Sequence, residues 1–324
     1  MKSYALRVEG TQAVLQLLGV PAPTAGAGQV LLKMHAAGLN RGEFIPGGLI
    51  KGNASKPAGI EGAGEIVALG EGVTGLQIGQ RVMGRCPGAF SEFAVMDARE
   101  ALPVPAGLSM EAAAAVPLTF LVVHDMLVLQ GHLQAGQWLL ITGVSSGVGV
   151  AALQSAKALG AKVIGTSGSA EKLARLKGLG LDIGIQTRNP DFAAQVLEAT
   201  GGAGVNLVVN TVGGSVFAEC IRCMAFEGRL ATVGYVDNTL KAELDIQALH
   251  VKRLTLFGVS NKQRNADQRA AGVPAFVADL MPALADGRIQ PLVDRVFPFD
   301  ELPTAKAHME ANQHLGKIVL KINA

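Results

Sequence analysis

The chain has 324 residues, 49% of them hydrophobic and 17% charged, with a formal net charge of +2. That length makes room for about two domains with buried cores, and so small a charge excess offers no electrostatic footprint for nucleic acid as the main partner. The opening MKSYALRVEG has no apolar signal core and no run of about 18 apolar residues follows, so no membrane is expected as a partner.

Cys86, Cys220 and Cys223 make neither a disulfide framework nor a four-thiolate zinc site, which fits a reducing cytoplasm. Cys220-x-x-Cys223 lies in the apolar, helix-like segment GSVFAECIRCMAFEG and has no second ligand pair. It reads as helix packing, and no metal site is expected.

Residues 1 to about 118 read as strands and loops, with strands at Tyr4–Glu9, Val30–Ala37, Gly64–Leu69, Arg81–Met83 and Phe90–Val95 between Gly and Pro clusters. This pattern predicts a partly open barrel. From about Thr119 the texture changes to helices alternating with short apolar strands at Trp138, Lys162, Ile183, Val205, Arg229 and Leu254. Six such strands are the complement of a doubly wound dinucleotide domain. Asn189 followed by Pro190 and Asp191 predicts a helix start. After about Asn261 come a long helical stretch, a strand at Leu292–Phe297, a helix at Glu301–Asn312 and a strand at Lys317–Ile322, expected to return to the first domain. The predicted division is therefore 1–118 with 263–324, and 119–262.

The second domain is organised around WLLITGVSSGVGVAALQSAKALG, Trp138 to Gly160. A charge-free strand runs into a glycine and serine turn, and a helix follows that ends at a glycine. Glycines let the backbone approach a pyrophosphate, and the helix start supplies free N–H groups and a positive dipole end. Ser145, Ser146, Gly147 and Val148 are the expected phosphate contacts. An NAD-preferring domain usually carries Asp or Glu at the end of its second strand, but VIGTSGSAEKLARL ends that strand on Thr166 and Ser167. Ser167, Ser169, Lys172 and Arg188 could instead surround a 2′-phosphate, which favours NADPH. The alternative reading of Lys172 and Arg188 is as solvated helix and loop charges.

In register along almost the whole chain, AAGLN (Ala36–Asn40), GIEGAGEIVALGEGVTGLQIGQRV (Gly59–Val82), AAAAVPLTFLVVHDML (Ala112–Leu127), TGVSSGVG, VVNTVGG (Val208–Gly214) and LGKIVLKI (Leu315–Ile322) carry a resemblance. The chain resembles the medium-chain dehydrogenase/reductases, specifically their zinc-free quinone oxidoreductase branch. The resemblance implies a GroES-like, partly open β-barrel catalytic domain interrupted by a Rossmann domain with a doubly wound parallel sheet, an active site in the cleft between them, and usually a homodimer. The zinc alcohol dehydrogenases carry a histidine ligand at the position of Ile60 and a cysteine ligand near Asn40; isoleucine offers no lone pair and asparagine is a poor ligand, which weighs against catalytic zinc. The turn also resembles the short-chain dehydrogenases, but these need Tyr-x-x-x-Lys. Four residues beyond Tyr4 and Tyr235 stand Val8 and Thr239.

The resemblance places Asn40 beside the nicotinamide and lines the cofactor cleft with backbone of Gly234, Tyr235, Phe257 and Val259. Asn40 could equally hydrogen-bond its own turn. The family's threonine near the nicotinamide aligns with Thr119 or Val122, and its phosphate-side tyrosine and arginine are replaced by Thr187 and Asn312. Arg41, Glu43 and His124 are candidate proton donors or substrate anchors; the alternatives are a surface charge for Arg41 and a packing or capping residue for His124. Ser146 stands where the branch most often has glycine, and reads as a pyrophosphate contact or as a helix cap. The expected activity is hydride transfer from NADPH to quinones or α,β-unsaturated carbonyl compounds, with two alternatives: reduction of 2-enoyl thioesters or other activated alkenes, and NADPH binding without catalysis, as in crystallin-like or RNA-binding members.

Overall fold

The computed structural model describes residues 1–9, 12–44, 55–261 and 263–322. The strands in chain order are β1 (Lys2–Glu9), β2 (Gln12–Gly19), β3 (Gln29–Gly38), β4 (Lys56–Pro57), β5 (Glu61–Leu69), β6 (Arg81–Arg85), β7 (Phe93–Asp97) and β8 (Leu102–Pro103). They are followed by β9 (Trp138–Thr142), β10 (Lys162–Ser167), β11 (Ile183–Gln186), β12 (Val205–Asn210), β13 (Met224–Thr232), β14 (Thr255–Gly258), β15 (Val293–Pro298) and β16 (Lys317–Lys321). Two compact units divide the chain: residues 1–119, 262–285 and 291–324 form the first, and 120–261 with 286–290 the second.

In the first unit, β3 shows why its sequence makes a sheet: Val30, Leu32, Met34 and Ala36 are fully buried while Leu31, Lys33 and His35 between them are not. That period of two is the side-chain alternation of a pleated strand with one face on a core. A seven-stranded sheet runs in the order β15-β16-β3-β5-β6-β8, with β7 pairing to β3, and a smaller sheet runs β2-β1-β4. Tyr4, Ile66, Phe90, Phe297 and Leu320 belong to one core cluster, so the last strands pack with the first.

The second unit carries a six-stranded sheet in the order β11-β10-β9-β12-β13-β14, every neighbouring pair parallel. Leu139, Leu140 and Ile141 of β9 are fully buried, as the charge-free run requires for a strand covered on both faces. The order reverses between β9 and β12. That is the switch point at which an open α/β sheet leaves a crevice beyond its strand ends.

Three sequence expectations are corrected, and one strand was not expected. The strand expected at Phe90–Val95 lies at Phe93–Asp97; the Phe90 carbonyl instead accepts the Tyr4 N–H at 2.8 Å, and its N–H donates to Ala58 O. No helix starts at Asn189, because Thr187 Oγ1 accepts the Asn189 N–H at 2.9 Å and donates to Asp191 Oδ1 at 2.6 Å, closing a turn; the helix runs Ala193–Ala199. The long helical stretch of the tail is three short helices, Ala266–Ala270, Val273–Asp279 and Met281–Ala285. Pro274 and Pro282 sit in the first turns of the second and third, where a missing N–H is tolerated, and each prevents the preceding helix from continuing. Finally, β2 is a strand that its sequence does not announce, since AVLQLLG lacks the β-branched alternation that marks one.

Candidate functional site

At the switch point β9 ends on Thr142, and the helix Gly147–Ala158 begins after a four-residue turn. Gly143 sits at φ +67°, a conformation in which L side chains are strained, so the turn as built here requires glycine. A Cβ on Gly149 would lie 2.7 Å from Gly143 O and from Val144 Cα, so the helix start is pressed onto the turn. Ser146 is the N-cap, its hydroxyl accepting the Gly149 N–H at 3.1 Å, and Val150 N–H donates to Ser146 O. A helix start has N–H groups with no intrahelical acceptor; with Gly149 and Val150 satisfied, those of Gly147 and Val148 are the ones available to an anion.

Two residues that sequence reasoning passed over hold this turn. Asn210, fully buried at the end of β12, accepts the Thr142 hydroxyl at 3.0 Å and the N–H groups of Val212 and Gly213, each at 3.0 Å. Thr211 donates its hydroxyl to Thr142 O at 2.7 Å. Together they stitch β9 to β12 beyond the last ladder bond. The available signal was a polar Asn-Thr pair directly after the apolar VNLVV.

Ser145, Ser167, Ser169 and Arg188 are brought together at the end of β10. The hydroxyls of Ser145 and Ser167 are 3.2 Å apart, and Ser167 Oγ accepts the Ser169 N–H at 3.3 Å. Ser169 caps the helix Ala170–Lys177 by accepting the Lys172 N–H, which places Lys172 in its first turn. A Cβ at Gly168 would overlap the Arg188 guanidinium, so the arginine lies against bare backbone there. Three hydroxyls, a guanidinium and no carboxylate at the strand end suit a phosphate rather than a bare ribose hydroxyl. A dinucleotide carrying a 2′-phosphate therefore fits these residues.

The remaining predicted residues of the second unit divide by exposure. Gly234 and Tyr235 follow β13, Gly234 half-buried and Tyr235 exposed; Phe257 lies within β14, and Val259 just past it is buried, its N–H donating to Thr232 O at 3.0 Å. His124 is 1% exposed at the end of the helix Pro117–His124, where the chain passes into a π-helical turn over Asp125–Leu129. It faces protein rather than water.

In the first unit, Asn40 and Arg41 open a single 3₁₀ turn, Arg41–Glu43. Arg41 is half-buried and donates from Nη2 to Met309 O at 2.8 Å and to Asn312 Oδ1 at 2.6 Å, which ties it to the end of the helix Leu302–Glu310. Asn40 sits in a buried charged cluster. Its Nδ2 donates to Glu43 Oε1 and Glu61 Oε1, both at 2.8 Å, and its Oδ1 accepts from Lys317 Nζ at 2.8 Å. Lys317 Nζ also donates to Leu39 O at 3.0 Å and Glu61 Oε1 at 2.5 Å, using all three ammonium hydrogens, and Glu61 Oε2 accepts the Leu118 N–H at 2.7 Å. Burial pushes the Glu43 carboxyl up to about 8, despite hydrogen bonds from Asn40 that favour its charged form. Glu61 and Lys317 do not stand out in the sequence, where 256 residues separate them.

Burial likewise raises the thiols of Cys86, Cys220 and Cys223, leaving them protonated, which for Cys220 and Cys223 is in keeping with helix packing. Among the described residues no group of three His, Cys, Asp or Glu side chains could hold a metal ion, and no helix is long and apolar enough to cross a membrane.

A largely antiparallel unit and a doubly wound parallel unit in one chain are also what the comparisons find. Residues 26–106 match the alcohol dehydrogenase GroES-like domain and residues 147–273 the zinc-binding dehydrogenase domain. A phenolphthiocerol/phthiocerol polyketide synthase of Mycobacterium tuberculosis is 31% identical over 297 residues, covering 91% of this chain, which spans only 14% of that protein's length. The structure of mycobacterial Rv1454c complexed with NADPH superposes with a TM-score of 0.88 at 28% identity, covering 99% of this chain and 100% of the other. The CurK enoyl reductase gives a TM-score of 0.84 at 26% identity, covering 98% and 99%. The chain belongs to the medium-chain dehydrogenase/reductase superfamily and is an oxidoreductase of that type.

Proposed function

We propose that the protein is an NADPH-dependent, zinc-independent reductase that passes hydride to quinones or α,β-unsaturated carbonyl compounds. The observation that carries this reading is the acid-free end of β10, where Ser145, Ser167, Ser169 and Arg188 gather beside a helix start with N–H groups to spare. The Rv1454c complex, itself holding NADPH, supports it. When bound, the nicotinamide supplies two electrons and one proton as hydride to the electron-poor acceptor. The chain's own residues do the rest. Gly147 and Val148 N–H groups hold the pyrophosphate, Ser167, Ser169, Lys172 and Arg188 receive the 2′-phosphate, and Gly234, Tyr235, Phe257 and Val259 offer backbone to the cofactor. Asn40 is the residue the first unit contributes to the reaction, with Arg41 and His124 as candidate substrate and proton groups.

A second reading, reduction of a 2-enoyl thioester, is favoured by the polyketide synthase relatives and by the CurK enoyl reductase. Both readings are tested on purified, chelator-treated protein given NADPH with a quinone, an enone and a 2-enoyl thioester in parallel. NADPH oxidation with the first two supports the leading reading, and a kcat/KM favouring the thioester moves the protein to the second. Activity lost on chelation refutes zinc independence. Tight NADPH binding with no turnover on any acceptor identifies a binding protein.

We also propose a homodimer through β14. That strand ends the six-stranded sheet, and the preceding helix leaves Ile246 66% and Val251 62% exposed. Light scattering that gives a monomer's mass at micromolar concentration would refute it.

A further inference from the structure

The Asn40 cluster determines what that amide can do. Which end of the amide carries oxygen follows from the partners: Nδ2 meets two carboxylate oxygens and Oδ1 meets an ammonium, and the flipped amide would set oxygen against oxygen and N–H against N–H. Both Nδ2 hydrogens are thereby used, and the backbone N–H of Asn40 is spent on Glu43 Oε1 at 3.1 Å. Lys317 has no hydrogen left over, its side chain is 8% exposed, and that of Glu61 is fully buried. Within the Asn40 side-chain amide, the valence not engaged is the second lone pair of Oδ1.

We propose that Glu43, Glu61 and Lys317 lock the Asn40 amide with both its hydrogens turned inward, so that Asn40 presents only an acceptor, and that Glu61 and Lys317 are positioning residues for it. The inference rests on the reading above in which Asn40 takes part in the reaction. Asn40 can receive a hydrogen bond from a donor such as a carboxamide N–H. It cannot donate to the oxygen of an enolate or hydroquinone as negative charge grows there, so another group stabilises that charge. Lys317 aims Oδ1, Glu61 holds both Lys317 and Asn40, and Glu43 closes the turn from the other side.

The lock is read directly from hydrogen exchange of the Asn40 side-chain amide in the full-length, 15N-labelled protein without cofactor, the resonance pair being assigned by its loss in Asn40→Ala. In the unaltered protein both hydrogens should exchange roughly a hundredfold or more slowly than a free asparagine amide. Lys317→Met should accelerate exchange at least tenfold, and Lys317→Arg, which keeps a cation, should recover most of the protection. If Lys317→Met does not fold, Glu61→Gln is read instead; it sets an amide N–H against Leu118 N–H and should speed exchange severalfold. With a quinone and NADPH, Lys317→Met should lower kcat roughly tenfold to a hundredfold while the NADPH dissociation constant stays within about twofold. Fast exchange in the unaltered protein, or exchange and kcat untouched by Lys317→Met, overturns the proposal. If no acceptor is turned over by the unaltered protein, the functional reading fails, and the exchange rates alone still decide whether the amide is locked.

Discussion

In the first unit, Asn40 and Lys317 spend their side-chain hydrogens on Glu61, Glu43 Oε1, Asn40 Oδ1 and Leu39 O, and of this cluster only Glu43 Oε2 is left buried without a partner. At the end of β9 and β10 in the second unit the arrangement differs: Ser146, Asn210 and Thr211 are spent on holding the turn, while the helix start leaves the Gly147 and Val148 N–H groups without intrahelical acceptors, beside a serine and arginine group that contains no carboxylate. Desolvated charges must find partners inside the protein because nothing else will hold them. A site for a charged ligand must do the opposite, and leave its donors for the ligand. The difference separates residues that shape the molecule from residues that meet something brought to it.

If that contrast holds, damage to the first group should appear as lost stability and, through Asn40, as lower kcat with cofactor binding unchanged, and damage to the second as lost binding. The largest effect is expected for Glu61→Ala, which leaves the Lys317 ammonium buried without its counter-charge; unfolding in urea should show a loss of about 3–5 kcal/mol. A loss below about 1 kcal/mol would mean that water reaches the cluster.

Glu43→Gln sharpens the comparison through pH. The folded protein holds Glu43 protonated up to about 8, against 4.5 for the ordinary carboxyl, so between those values the folded state binds more protons than the unfolded. The stability linked to Glu43 is therefore fully present below about 4.5 and declines as pH rises toward 8. Glutamine removes that decline, so at about pH 8.5 the variant should exceed the unaltered protein by on the order of a few kcal/mol, the gap closing toward about pH 5. Melting curves across that range check it, and parallel curves for the two proteins would show that Glu43 is ionised throughout.

In the second unit, Arg188→Ala should leave unfolding almost unchanged and reduce the preference for NADPH over NADH by about tenfold, near 1.4 kcal/mol, as measured by titration calorimetry. An unchanged preference would return Arg188 to the solvated charges. The smallest effect belongs to Ser146→Ala. With its hydroxyl on Gly149 N–H, loss of the cap should cost about 1 kcal/mol of stability and change the NADPH dissociation constant by less than about twofold. Weaker binding at unchanged stability would mean that the hydroxyl serves the pyrophosphate instead.

The nucleotide unit was legible because each of its signals is local: an apolar run buried on both faces for β9, a glycine turn and a glycine stop at Gly160, which takes φ +81°. The barrel strand β3 showed its inward face by alternation. What failed was punctuation that a competing local hydrogen bond overrules, as at Asn189, where the hydroxyl of Thr187 two residues earlier takes its N–H and closes a turn instead of a helix start. The Asn40 cluster was half legible. Asn40, Arg41 and Glu43 stood together in the sequence, but nothing local to Glu61 or Lys317 announces that a strand near residue 317 will lie against β3. The stitching by Asn210 and Thr211 was hidden for the same reason, since it is read across two strands 69 residues apart.

The position of Lys317 also orders events during synthesis. β16 fills the place between β15 and β3, so until it emerges the Ala36–Gly38 end of β3 lacks its neighbour beyond β7 and Glu61 lacks its cation. Pairing over so long a stretch of chain is slow because loop closure precedes any reward. While the ribosome is still building the nucleotide unit, that end of β3 is therefore an open sheet edge, the kind of edge that invites pairing with another chain.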